Sequence, residues 1–402
     1  MKSKKILYST IVAVASAFAL SSCNDFLDTM PDNRTTLDTE DKIADLLTNA
    51  YPKGNTILVN ELMSDNTDYY GATNPNGTRF GDEVYFWNDV MQTSNDGPEN
   101  FWLHQYNSIA SANQALVDIA KLEQNNISSE TRAKLESDRA EALLIRAYGH
   151  FKLVTQFSKM YNPATADKDL GIPVSKKVET LTNKQERGNV ADVYKAIDED
   201  IQAALPIVTS NYKVPKYHFN RKAAYAFATR FYLYYQKWSE AVSHADKVLG
   251  SDPTRVLRDW SAFTATPRTD ESYALAYYDS KNPANLLTHS TYSVLSSITT
   301  SGVIYFNTRF GQGQELTRTE TLYARNIWGN SDRYYFQPFI YTETNINKTV
   351  QPKYPKLPSN ANVTFTVPLT TDETLMVRAE AKIHLGAAQW DAAVADLNLM
   401  LS

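Results

Sequence analysis

Residues 222–253 read KAAYAFATRFYLYYQKWSEAVSHADKVLGSDP. Ala224, Phe227, Ala228, Phe231 and Tyr235 recur at helical spacing, and Trp238, Ala241, Val242, Ala245, Val248 and Leu249 form a second stripe after the break at Gln236-Lys237. Gly250 and Pro253 stop that second stripe. Large side chains set opposite alanines let two helices approach closely, so the stretch predicts a helical hairpin. A second such hairpin ends the chain, where Leu375, Ala379, Ala381 and Leu385-Gly386 are followed by Trp390, Ala393, Val394 and Leu397. About 120 residues lie between the two hairpins, rich in aromatics and poor in helical pattern.

Close packing of large on small residues in a unit of roughly 34 residues is the logic of the tetratricopeptide (TPR) hairpin. The expected fold is therefore mostly α, a frame of TPR-like hairpins carrying long loops and short strands, with function placed in the loops. Upstream, Thr39 is positioned to cap a helix in which Ile43, Leu46, Leu47, Ala50 and Tyr51 share a face, ended by Pro52 and Gly54. Residues 60–100 have loop composition, dense in Asn, Asp, Gly and Thr around Tyr69, Tyr70, Phe86 and Trp87. Pro98 opens a helix bearing Trp102, Tyr106, Ile109, Asn113, Leu116 and Ile119. Residues 138–158 form another, with Leu144, Ala147, Tyr148, Phe151 and Val154 on one face; a further helix runs from near Asn189 to Pro206. Residues 254–372 hold 18 aromatics, and short alternating pieces such as Tyr273 to Tyr278 read as strands. Trp102, Trp238 and Trp390 sit on helical stripes and are expected in the core.

The 402 residues, 43% hydrophobic and 21% charged, have globular rather than disordered composition. The formal charge of −5 becomes about −8 once Lys2, Lys4 and Lys5 in the acid-free first 22 residues are set aside. That balance argues against nucleic acid and anionic lipid surfaces as partners. Those lysines precede an apolar stretch, Ile6 to Leu20, too short to span a membrane and matched to a secretory signal. It ends in Leu20-Ser21-Ser22-Cys23, which resembles the bacterial lipobox, where lipid is attached to the cysteine and the chain is cut before it. Cys23 is the sole cysteine, so it makes no internal disulfide; the alternatives are lipidation and an incidental thiol after an ordinary signal peptide. The organisation expected is a signal peptide at 1–22, a lipid-anchored tether at 23–37 and one domain at 38–402 with an insertion at 254–372.

The ordered signatures resemble the SusD/RagB family of outer-membrane lipoproteins of the Bacteroidetes. They are Cys23-Asn24-Asp25-Phe26-Leu27-Asp28, Leu47-Thr48-Asn49-Ala50-Tyr51, Trp102 with Tyr106, Ile109 and Ala112-Asn113, and Glu141-Ala142-Leu143-Leu144-Ile145-Arg146-Ala147. Leu170-Gly171-Ile172-Pro173, Val193-Tyr194 with Ile197 and Asp200, and Met376-Val377-Arg378-Ala379-Glu380-Ala381 follow in order. Members usually continue well past the last hairpin, whereas this chain stops at Ser402, inside its second helix. The reading is a fragment or truncation, the alternative a short variant, with Leu397, Leu399, Met400 and Leu401 expected to have little to pack against. The resemblance implies binding rather than catalysis: a surface lipoprotein that captures a glycan and sits as a lid on a SusC-like TonB-dependent transporter. The alternatives are a RagB-like peptide binder on the same fold, a surface hydrolase, and a scaffold whose only partner is the transporter.

In that family the sugar site draws on two regions that correspond here to residues 64–100 and 254–372. Aromatic faces pack on the apolar faces of sugar rings, and Asp, Asn and Arg bond the hydroxyls. The candidates are Asp65, Asn66, Tyr69, Tyr70, Arg79 and Trp87 from the first region, and Tyr277, Tyr278, Trp328 and Tyr334 from the second. For each aromatic, packing beneath a long loop is the commoner role than ligand contact; Trp87 and Trp328 are preferred because Asn flanks them rather than an apolar stripe. Signatures of enzymes are missing: there is no His-Glu-x-x-His pair and no Gly-x-Ser-x-Gly elbow. Gly311-Gln312-Gly313 lacks the third glycine of a dinucleotide loop, since position 316 is leucine. The six histidines are scattered, and Asp65 and Asp68 do not match a calcium loop, so no cofactor or metal is expected.

Overall fold

The computed structural model describes residues 37–65, 67–69, 71–72, 78–178, 185–267, 270–293, 309–311 and 363–401. The chain divides into two units, Met1–Asp38 and Thr39–Ser402, and every element below belongs to the second. Cys23, the signal segment 1–22 and nearly all of the tether lie outside the described residues.

Thr39 caps α1 (Glu40–Asn49) by accepting from Lys42 N, and Ile43 and Leu47 are its buried stripe. The short α2 (Ile57–Leu62), strand β1 (Asp68–Tyr69) and α3 (Arg79–Tyr85) follow. Residues 60–100 are thus not all loop. A seven-residue helix containing Gly81 gives little sequence signal, and the glycine allows a close approach: a Cβ there would stand 3.2 Å from the Phe310 ring, which would have to give by a few tenths of an ångström. Pro98 opens α4 (Pro98–Leu122), and Ser128 caps α5 (Ser129–Phe157), longer than the apolar pattern alone indicates. Asn189 caps α6 (Val190–Ala204). The 222–253 stretch forms α7 (Arg221–Tyr234) and α8 (Trp238–Leu249), parted at Gln236, whose φ is 59°, and closed at Gly250.

Next come α9 (Asp270–Tyr278), β2 (Asn285–Tyr292), β3 (Phe310–Gly311) and β4 (Val363–Thr370). The chain continues into α10 (Thr371–His384) and α11 (Trp390–Leu401). The expected strand at Tyr273 to Tyr278 is therefore a helix. A run of six residues cannot separate the two periods, and tertiary packing decides: Ala274 is buried while Leu275 is exposed. β1 pairs antiparallel with β3, Tyr69 opposite Phe310, and β2 pairs antiparallel with β4, from Asn285 opposite Thr370 to Tyr292 opposite Val363.

The two hairpins that lie far apart in the sequence are neighbours in space, because α8 packs on α10. Leu399 and Met400 of α11 rest against the cluster of Ala245, Leu249 and Leu375, so these side chains are not left bare as the sequence reading expects. Trp390 is 54% exposed rather than buried. Trp102 is half-buried beside Tyr106 and Phe157, and Trp238 is half-buried, stacked on His384 at 4.1 Å.

Buried charges cross-link the frame. Arg146 on α5 forks onto Asp200 on α6 (2.8 and 2.7 Å) and donates to Asn113 Oδ1 on α4 (2.8 Å). Arg378 on α10 makes the same fork onto Asp396 on α11 (2.9 and 2.6 Å) and reaches Asp246 on α8 (2.8 Å). Bidentate geometry with every partner supplied is what lets such charges be buried without a large penalty. His150 is structural as well: its Nε2 accepts from Ser175 N (3.1 Å), so Nδ1 carries the proton and donates to Arg146 O (3.0 Å). Burial pushes its pKa down to about 3, so it stays neutral.

Candidate functional site

The site is built on the end of α3. Thr78 caps that helix by accepting from Gly81 N, and Phe80 and Val84 sink into an apolar cluster with Leu58, Val59, Leu62 and Phe310. The helix then closes through Trp87 N donating to Val84 O (3.1 Å) and Asn88 N donating to Glu83 O (2.8 Å). This bond pair is a Schellman ending, whose left-handed residue is usually glycine. Here that residue is Trp87, at φ 57°. A bulky residue there is strained, and such strain collects at functional positions. The indole is not drawn inward in exchange, since Trp87 is 72% exposed.

The two residues before it belong to an aromatic cluster. Tyr85 meets Phe310 at 4.7 Å and Phe86 at 5.2 Å, and Tyr69 meets Phe310 at 5.6 Å and Phe86 at 5.2 Å. Phe86 and Met91 are exposed as well, so residues 86–91 present a ridge of large apolar side chains over a firm base. The Glu83 carboxylate fixes the turn, accepting from Met91 N (2.8 Å), Gln92 N (3.0 Å) and Arg79 Nε (2.6 Å). These bonds, led by the Gln92 N–H, hold its pKa below the ordinary carboxylate range against the opposing effect of desolvation. Gln92 Oε1 accepts from Phe80 N (2.6 Å), and Arg309 bonds Asp82 (2.5 Å), tying the β3 segment to α3.

Of the sequence candidates, Tyr69 lies in this aromatic cluster and Trp87 directly follows its member Phe86. Arg79 is close by but its Nε is committed to Glu83, and Asp65 is exposed in the turn after α2. Tyr277 and Tyr278 are engaged elsewhere: the Arg258 guanidinium lies 4.2 Å over the Tyr277 ring, and Tyr278 donates to Phe365 O (2.5 Å). Asn66, Tyr70, Trp328 and Tyr334 lie outside the described residues. Sequence reasoning missed Tyr85, Phe86 and Phe310 as its supports. The run Tyr85-Phe86-Trp87 was the available signal for the first two; nothing local marks Phe310 as their neighbour. Among the described residues no group of three or more His, Cys, Asp or Glu is placed to hold a metal ion.

The helical frame thus carries exposed Phe86, Trp87 and Met91 at the end of α3. Residues 25–233 match the SusD-like family described as starch-binding associating with outer membrane. This chain belongs to that SusD-like family. Its fold is similar to a SusD superfamily protein from Bacteroides thetaiotaomicron VPI-5482, with a TM-score of 0.63 and 18% identity over 90% of this chain and 79% of that one. It is similar to a SusD-like carbohydrate binding protein from Bacteroides vulgatus ATCC 8482, with a TM-score of 0.62 and 16% identity over 90% of this chain and 74% of that one. A laminarin binding SusD-like protein gives a TM-score of 0.57 and 16% identity over 91% and 85%. At these identities the likeness is one of fold. No curated protein matches the chain.

Proposed function

We propose that this protein is a cell-surface glycan-binding lipoprotein that captures an oligosaccharide or polysaccharide and delivers it to a SusC-like TonB-dependent outer-membrane transporter. The observation that carries the reading is Trp87, exposed and held in a left-handed turn directly after Tyr85 and Phe86, which pack with Tyr69 and Phe310 in an aromatic cluster. An exposed indole carried on such a turn offers a flat apolar face to a sugar ring. Tyr69, Asp65 and Arg79 supply polar groups on the same segment. Binding is non-covalent and no cofactor takes part.

Anchoring rests on the sequence: export through residues 1–22 and lipidation of Cys23 place the binding domain at the outer membrane on the tether 23–37. Asn66, Tyr70, Trp328 and Tyr334 remain candidates for the same ligand, and Tyr277 and Tyr278 serve as supports in their own neighbourhood. The test is affinity electrophoresis of the protein in gels containing soluble starch, laminarin, xylan or galactomannan. Retardation by one polysaccharide, reduced in Trp87→Ala, is the expected result. No retardation by any of them, with peptides retained instead, would replace the glycan reading by the peptide one.

A further inference from the structure

Polar atoms without hydrogen-bond partners gather where α4, α5 and β2 meet. Gln105 on α4 is 1% exposed; its Nε2 donates to Gly54 O (3.2 Å), and its buried Oε1 receives nothing. His289 on β2 has its Nδ1 shut off from solvent and unpartnered. Lys152 on α5 is half-buried, and its Nζ stands 5.9 Å over the Phe101 ring with no acceptor among the described residues. The three share one neighbourhood. Phe101 and Gln105 lie one turn apart on the same face of α4. Gly149, one turn before Lys152, packs on that face: a Cβ there would stand 2.8 Å from Ile109 Cγ1 and 3.4 Å from Gln105 O. On the other side, Lys53 O accepts from Thr291 Oγ1 (2.7 Å) and Tyr292 N (2.7 Å), which docks β2 beside the Gly54 that Gln105 holds. His289 shares a strand face with Thr291. Burial first, and the Lys152 charge second, push its pKa down to about 4, so the ring is neutral.

The charge at this junction does not cancel. Arg230 on α7 forks onto Glu373 on α10, so those two are matched. The Lys152 ammonium feels both and has no anion of its own: burial, then Arg230, lower its pKa to about 8, with Glu373 opposing. An ammonium without an acceptor and an amide oxygen without a donor are both unfavourable inside a fold. One small molecule answers both needs, an oxyanion that keeps a hydroxyl. Its charged oxygens accept from Nζ and its O–H donates to Gln105 Oε1, while His289 Nδ1 takes either role according to tautomer.

We propose that Lys152, Gln105 and His289 form a binding site for hydrogen phosphate at the junction of α4, α5 and β2. The site is built from other residues than the Trp87 ridge and does not rest on the glycan reading. Because the anion favours the ammonium form, bound phosphate also makes Lys152 a poorer nucleophile.

The experiment is trace acetylation of the full wild-type chain at pH 8, read by mass spectrometry at each lysine. It is run in sodium chloride, sodium sulfate, methyl phosphate and inorganic phosphate at one ionic strength. At that pH inorganic phosphate keeps a hydrogen, whereas sulfate and the monoester present charged oxygens alone. Saturating phosphate lowers labelling of Lys152 by about fivefold or more, exposed Lys168 is labelled as before, and sulfate and methyl phosphate protect less. Thermal denaturation of Lys152→Met runs beside it: phosphate raises the wild-type midpoint more than sulfate does, and the variant loses that excess. Unchanged labelling of Lys152 in phosphate overturns the inference. Equal protection by sulfate or methyl phosphate overturns it as well, since neither brings a hydroxyl to Gln105. Labelling is read on the unaltered chain, so the stability of the variant does not decide the outcome.

Discussion

Replacing Asp138 by Asn should stabilise this protein at neutral and alkaline pH and do nothing at pH 4. Asp138 lies on α5, 5% exposed, with Oδ2 lacking a hydrogen bond among the described residues. Desolvation, then the negative charges of Glu40 and Glu141, pushes its pKa from 3.8 up to about 8, with Lys134 opposing and Asp41 adding. Between those two values the folded state holds a proton that the unfolded state has released. Stability therefore falls as pH rises from about 4 to 8, by up to about 1.4 kcal/mol per unit. Taken whole, the shift is worth at most about 6 kcal/mol, and relaxation of the site leaves about 2–4 kcal/mol as the expected difference. Asn is close in shape and carries no titration. Urea denaturation of wild type and Asp138→Asn, followed by circular dichroism at pH 5, 7 and 9, reads the difference directly. Groups that titrate in both proteins cancel. The expected gap widens from pH 5 to about 8 and has levelled off by pH 9. A difference that stays flat across that range would show that Asp138 titrates normally and refute the reasoning.

Two further outcomes test the frame and the turn. Arg146→Lys keeps the charge but not the fork onto Asp200 or the bond to Asn113. It should lose about 2–3 kcal/mol in urea denaturation, and a loss within error of zero would mean that the cross-link is dispensable. Trp87→Gly and Trp87→Ala remove the same exposed ring, but only glycine relaxes the φ of 57°. The glycine variant should be the more stable of the two by about 1 kcal/mol, and the reverse order would contradict the strained turn.

The frame was legible because its signal is local. Alanines opposite aromatics at helical spacing, with Thr39, Pro98, Asn189 and Gly250 as punctuation, fix α1, α4, α6, α7 and α8 within a residue or two. What could not be read was pairing at a distance. β2 becomes a strand by pairing with β4, and Phe310 reaches Tyr69 and Tyr85 only when β3 pairs with β1. The Trp87 turn was hidden for another reason. Local propensity favours the neighbouring Asn88 for a left-handed conformation, and the bonds to Val84 and Glu83 place it one residue earlier. Trp390 misled because a helical stripe shows which face is apolar, not whether anything covers it.

The most direct test of the account is isothermal titration of wild type, Trp87→Gly and Trp87→Ala with an oligosaccharide of whichever polysaccharide retards the protein. Glycan capture through the Trp87 ridge predicts saturable binding by wild type and a loss of about tenfold or more in both variants, with the glycine variant fully folded. Binding of equal strength in all three would contradict it.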